Sequence, residues 1–159
     1  MKLVLDTDVV LSGLQSAGGA SRLLPCGVAE GAITPLVTVA TLLEYEDVLL
    51  RPENMAATGL TEQEVTGFLD GILARSERVL VRQRLRPSIR DPSDEMFVEA
   101  LVNGGGSAIV TFNRRDYLDA DHTLASQGRF VVPVLSPGEA LRRLAWRPTA
   151  TTPFAFPPR

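Results

Sequence analysis

Short apolar runs that stop abruptly at acidic or polar residues limit this chain more than any other feature. Leu3-Val-Leu5 ends at Asp6-Thr7-Asp8, and Ala108-Ile-Val-Thr111 runs into a polar stretch containing Asn113 and Asp116. Apolar runs of this length with no polar alternation read as strands buried on both faces, as in a parallel sheet. Ile33 to Val39, β-branched and apolar, predicts another strand, with shorter candidates at Arg78–Val81 and Val131–Leu135. Helical patterns separate them: Val9–Leu14, Ser21–Glu30, Thr41–Leu50, Thr61–Arg75, a helix opened by Asp91-Pro-Ser-Asp94 and stopped at Gly104-Gly-Gly106, and one from Ser136 to near Trp146. Pro25 and Gly27 weaken the second of these, and Thr61-Glu-Gln-Glu64 is a capping pattern that supports the fourth. Strands alternating with helices define an α/β class with a mostly parallel central sheet.

The chain has 159 residues, enough for one core and marginal for two. The expected organisation is one domain over residues 1–146 and a Pro/Thr-rich tail over 147–159, extended or disordered. Met1 leads straight into Lys2-Leu-Val-Leu5 with no signal-like segment, and no apolar run approaches the ~18 residues of a membrane span. The cytoplasm is therefore the expected compartment. Cys26 and His122 are the sole cysteine and histidine, which excludes an intramolecular disulfide, a cysteine-rich zinc site and a multi-histidine metal site. A net charge of −3 gives the whole molecule no attraction for nucleic acid, so any such contact needs a local basic patch or bound metal.

In a parallel α/β sheet, sites form beyond the carboxyl ends of the strands at a topological switch point. Asp6 and Asp8 follow the first strand, and Asn113 and Asp116 follow the Ala108–Thr111 strand. Glu44 falls early in the helix after the second strand, and Asp94 in the first turn of the helix after Asp91-Pro92. Clustered carboxylates repel one another unless protonated or neutralised. Mg²⁺ and Mn²⁺, hard cations that take oxygen ligands, offer that neutralisation, activate water and make an acidic site attractive to a phosphodiester. Structural readings compete at each position. Thr41-Leu-Leu-Glu44 has the form of a capping box, Asp91-Pro-Ser-Asp94 supplies an N-cap, a Pro at N1 and an acid at N3, and Asn113-Arg-Arg-Asp116 can cap a helix. Asp6 is harder to explain structurally, since it closes a buried strand.

The residues resemble the PIN-domain family. Met1-Lys-Leu-Val-Leu-Asp6-Thr-Asp-Val-Val10 is similar to its opening strand and helix. Leu42-Leu-Glu44-Tyr-Glu-Asp-Val-Leu49-Leu-Arg-Pro52 resembles the second acidic motif of a toxin-like subgroup related to VapC-type ribonucleases. Arg90-Asp-Pro-Ser-Asp94-Glu-Met-Phe97 resembles the third motif, Ile109-Val-Thr111-Phe-Asn113-Arg-Arg-Asp116-Tyr117 the fourth, and Leu135-Ser-Pro-Gly-Glu139-Ala-Leu141 the closing helix. The resemblance implies a three-layer α/β/α sandwich around a sheet of about five strands and a Mg²⁺- or Mn²⁺-dependent endoribonuclease acting on single-stranded RNA. It implies that Asp6, Glu44 and Asp94 hold metal and position water, that Asp116 completes the acidic set, and that Thr7, Asp8, Thr111 and Asn113 support it. It also implies a homodimer, and a toxin restrained by an antitoxin protein. Asp8 stands where the family usually has Asn, and Asn113 where many relatives carry an acid. Arg90, Arg114 and Arg115 are candidates for steering RNA phosphate, with solvated or ion-paired charge as the alternative. Tyr45 and Phe97, at helical packing intervals, are expected in the core.

Two other readings remain open. Asp6-Thr-Asp8-Val-Val-Leu11 matches the haloacid-dehalogenase phosphatase signature, with Asp6 as nucleophile, Asp8 as general acid and Thr111 as phosphate ligand. That chemistry needs a downstream basic residue, usually lysine, whereas the sole lysine, Lys2, lies upstream and Arg129 is a poor replacement. The other reading is a PIN-like domain that binds RNA or a protein without cleaving.

Overall fold

A computed structural model of the chain describes residues 1–16, 18–86, 88–89, 91–117 and 132–149. Among these residues the elements are β1 (Lys2–Leu5), α1 (Thr7–Gln15), α2 (Ala20–Ala29), β2 (Thr34–Val37), α3 (Val39–Leu49), α4 (Pro52–Thr58), α5 (Glu62–Leu73), β3 (Glu77–Arg78), α6 (Glu95–Gly104), β4 (Ala108–Val110), a 3₁₀ turn (Arg114–Tyr117), β5 (Val134–Leu135) and α7 (Pro137–Leu144). The five strands form one sheet in the order β3-β2-β1-β4-β5, every pair parallel. Helices flank it in a three-layer α/β/α sandwich, the architecture expected from the sequence.

The central strands are buried on both faces because each residue is apolar: Leu3, Val4, Ala108, Ile109 and Val110 are fully buried. Leu3, Val4 and Leu5 lie level with Ala108, Ile109 and Val110. Their register sets Asp6 and Thr111 side by side as the chain leaves the sheet, and the Asp6 amide extends the ladder by donating to the Val110 carbonyl at 2.9 Å. β1 leads outward through β2 to β3 on one side, and β4 through β5 on the other, so the switch point falls at the β1/β4 carboxyl ends. Tyr45 and Phe97 are buried as expected, and their rings stack with centroids 6.4 Å apart.

Three local readings are corrected. The capping box of α3 is formed by Thr38 and Thr41, so the helix begins at Val39 and Glu44 lies beyond its first turn with no capping role. Asp91-Pro-Ser-Asp94 is a turn before α6, in which the Asp91 carboxylate accepts from the Ser93 amide at 2.9 Å and hydroxyl at 2.7 Å. Asp94 is then the N-cap residue and caps nothing with its side chain. Helix α4 was not expected at all. Its seven residues are too few to show a periodic pattern, but Pro52 at its start and Gly59 in the left-handed conformation at its end delimit it. Elsewhere the Thr61/Glu64 capping box is present, and α2 tolerates Pro25 within its span.

α6 carries a polar stripe that fixes the segment before the Asp94 turn. Asn103 accepts from the amides of Arg82 and Gln83, both at 2.9 Å, and Glu99 from Leu85 at 3.3 Å. Glu95 accepts from the Ser88 amide at 2.8 Å. The Arg86 guanidinium spans both acids, at 3.1 Å from Glu99 and 3.5 Å from Glu95, which balances part of the charge that burial makes costly. At the other end, Glu30 accepts from the Trp146 indole at 2.9 Å and the Thr149 amide at 3.0 Å, tying the end of α7 and the residues just past it to the end of α2. Residues 150–159 of the expected tail, together with His122, lie outside the described residues.

Candidate active site

Asp6 ends β1 as the N-cap of α1, buried with 7% exposure. Its Oδ1 accepts from the Thr7 amide at 2.7 Å and its Oδ2 from the Tyr117 hydroxyl at 3.0 Å; the Thr111 side chain also hydrogen-bonds it. Burial nevertheless raises its pKa above the usual carboxylate value, opposed by these bonds and reinforced by the Asp116 charge. Asp8, two positions on in α1, is pushed up to about 6, first by burial and then by Asp6. One of its oxygens, Oδ2, accepts from the Phe112 amide at 3.3 Å. The other, Oδ1, is buried and has no hydrogen-bond partner, like the neighbouring Thr7 hydroxyl.

Asp94 reaches about 7, because burial and then the charges of Asp6, Asp91, Asp116 and Asp8 all oppose its ionisation. Asp116, in the 3₁₀ turn, accepts from the Asn113 side-chain amide, and the Asn113 backbone amide donates to the Thr111 hydroxyl at 2.9 Å. Acids from three separate segments therefore feel one another at the switch point. Among the described residues no lysine or arginine pairs with Asp6, Asp8, Asp94 or Asp116.

Glu44 is half-buried on α3 and is not among the acids that act on Asp94, which are Asp6, Asp91, Asp116 and Asp8. Its neighbour Tyr45 is the residue that ties α3 to the site, donating its hydroxyl to the carbonyl of Leu5, just before Asp6. Of the arginines, Arg114 pairs with Glu139 at 3.2 Å, Arg115 is exposed, and Arg90 lies outside the described residues. Lys2 sits at the opposite end of β1 in an ion pair with Glu77 at 2.6 Å, remote from any phosphate that Asp6 would attack. Arg129 lies outside the described residues.

Sequence reasoning missed Tyr117 as a partner of Asp6, and Phe112, whose amide faces Asp8. Both lie inside the segment quoted for its acids, but nothing in a sequence distinguishes a tyrosine that packs from one that also donates to a carboxylate 111 positions away.

The donor set suits a hard divalent cation. It offers only oxygen, carries uncompensated negative charge and includes the orphaned Asp8 Oδ1. Among the described residues no group of three or more Asp, Glu, His or Cys side chains is placed so that together they could hold a metal ion. Mg²⁺ does not require such a group, since it usually keeps several waters beside one or two carboxylates.

A parallel α/β sandwich with aspartates gathered at the switch point defines a class of proteins whose site lies at the carboxyl edge of the sheet. The PIN domain family matches residues 2–115, and the chain belongs to that family. Comparison with curated proteins gives no match. PIN domains are generally nucleases and generally use divalent metal ions. The matched span ends before β5 and α7, which complete the same sheet and its cover. No described helix is long and apolar enough to cross a membrane.

Proposed function

We propose that the chain is a metal-dependent endoribonuclease that hydrolyses phosphodiester bonds in single-stranded RNA. The observation that supports this most is the gathering of Asp6, Asp8 and Asp116 at the switch point, with Asp8 Oδ1 buried and unpartnered and no basic side chain paired with any of them among the described residues. Asp6, Asp94 and Asp116, joined by Asp8 through its unpartnered Oδ1, would hold Mg²⁺ or Mn²⁺. When bound, the ion supplies charge neutralisation and Lewis-acid polarisation of the phosphate. Thr7, Thr111 and Tyr117 orient the Asp6 carboxylate, and Asn113 orients Asp116. Asp94, at the mouth of a turn and free of capping bonds, is the acid best placed to orient the attacking water. Arg115 is exposed close in sequence to Asp116 and is available to RNA phosphate, while Arg114 would have to leave Glu139 to do so.

A toxin role in a type II toxin–antitoxin pair, a cognate antitoxin, a homodimer and a cytoplasmic location extend this reading on the strength of the sequence resemblance. Glu44 belongs to the same extension, as a further metal-directed acid on α3. The deciding experiment is cleavage of a single-stranded oligoribonucleotide with Mn²⁺, with EDTA, and by the Asp94→Asn protein. Cleavage that needs the ion and Asp94 supports the proposal. RNA binding without cleavage would leave a non-catalytic PIN domain, and trapping of an aspartyl-phosphate at Asp6 would favour the phosphatase reading.

A further inference from the structure

We propose that Phe112 is a base-stacking residue for the nucleotide beside the scissile phosphate, an inference that rests on the ribonuclease reading. Phe112 is 54% exposed and is the only aromatic ring among the exposed large apolar side chains of the described residues. Phe68, Phe97, Tyr45 and Tyr117 are all buried.

Its backbone is held at three consecutive positions. The Thr111 amide donates to the Leu135 carbonyl at 3.0 Å, the Phe112 amide to Asp8 Oδ2 at 3.3 Å, and the Asn113 amide to the Thr111 hydroxyl at 2.9 Å, while the Thr111 side chain also bonds Asp6. The ring therefore sits within one side chain's reach of the carboxylates on a fixed base, which is what a stacking platform needs: the ordering is done before the ligand arrives. Its sequence surroundings favour nucleic acid over a protein partner. A protein-docking patch continues in apolar residues, whereas Phe112 is followed by the exposed Asn113 and Arg115, polar and cationic groups that suit a phosphate backbone. Single-stranded RNA presents unstacked bases to such a ring, and stacking is tolerant of base identity because every base has a π face.

The test is steady-state cleavage of a short single-stranded oligoribonucleotide with Mn²⁺ by wild type, Phe112→Ala, Phe112→Leu and Phe112→Trp. A parallel set of substrates carries one abasic position scanned across the cleavage site. Stacking predicts that Ala and Leu raise KM by roughly tenfold to a hundredfold while Trp stays near wild type. An abasic residue at one position should then erase the difference between wild type and Phe112→Ala. Because the side chain is exposed, thermal midpoints should be unchanged across the series. Equal KM for wild type and Phe112→Ala, or full retention by Phe112→Leu, overturns the proposal while leaving the nuclease reading intact. If wild type cleaves no RNA with Mn²⁺, the nuclease reading fails and the stacking role falls with it.

Discussion

The hydroxyl of Tyr117 donates to Oδ2 of Asp6 at 3.0 Å, joining the turn after β4 to the end of β1. Both groups are buried, so the bond acts in a low-dielectric setting where a charged acceptor gains most from it. It also couples the position of Asp116, one residue earlier, to that of Asp6.

Replacing Tyr117 with Phe removes that donor and keeps the ring. The expected cost is about 1.5–3 kcal/mol, the range for a hydrogen bond to a charged group, read by urea unfolding. The Asp6 pKa should rise further, because the lost bond favoured the charged form. A protein as stable as wild type would show that the bond contributes nothing.

Stability of the metal-free protein should depend on pH with a definite sign. Asp94 has a folded pKa of about 7, and Asp8 one of about 6, both above their unfolded values near ~4. Between those limits the folded state holds protons that the unfolded chain releases, so stability is fullest below about pH 4 for these groups and falls as pH rises to 7. Thermal midpoints measured in EDTA should decline across that window, Asp94→Asn should flatten the decline, and Mn²⁺ should oppose it.

The helix α6 lies so close to β2 that Gly104 has no room for a side chain. A Cβ there would stand 2.8 Å from both Leu36 Cδ1 and Val79 Cγ2, and Leu36 is fully buried. Alanine usually favours a helix over glycine by up to ~1 kcal/mol, but overpacking of about 1–3 kcal/mol should outweigh this. A lowered denaturation midpoint for Gly104→Ala is the expected result.

The Glu99→Ala protein should lose the latch on the segment before Asp94. The Leu85 amide is left without its acceptor and Arg86 loses its nearest acid, a cost of about 2–3 kcal/mol when a buried donor is orphaned. Amide hydrogen exchange at Leu85 should accelerate, and RNA cleavage should fall through misplacement of Asp94. Unchanged exchange at Leu85 would show that the loop holds without the helix.

The sheet was legible because buried parallel strands leave an unmistakable trace: Leu3-Val-Leu5 and Ala108-Ile-Val110 contain nothing polar and stop at polar residues. The place of Asp6 was legible for the same reason, since a residue that closes a strand must lie at its edge. What escaped was set by contacts between distant segments. Glu44 looked like a cap because Thr41 precedes it by three, yet Thr38 makes the cap with Thr41. Glu95, Glu99 and Asn103 recur at i, i+4 and i+8, which reads as a solvent-facing stripe until a loop is seen lying across it. The exposure of Phe112 also required coordinates, because apolar residues around a strand end are normally packed.

Mn²⁺ titration of the purified protein by calorimetry, alongside Asp6→Asn and Asp94→Asn, reaches the core of the proposal without depending on any choice of RNA. Saturable binding by wild type, weakened about tenfold or more in both variants, is the predicted result. No uptake by wild type, or equal uptake by all three proteins, would contradict a divalent-ion site at the β1/β4 edge.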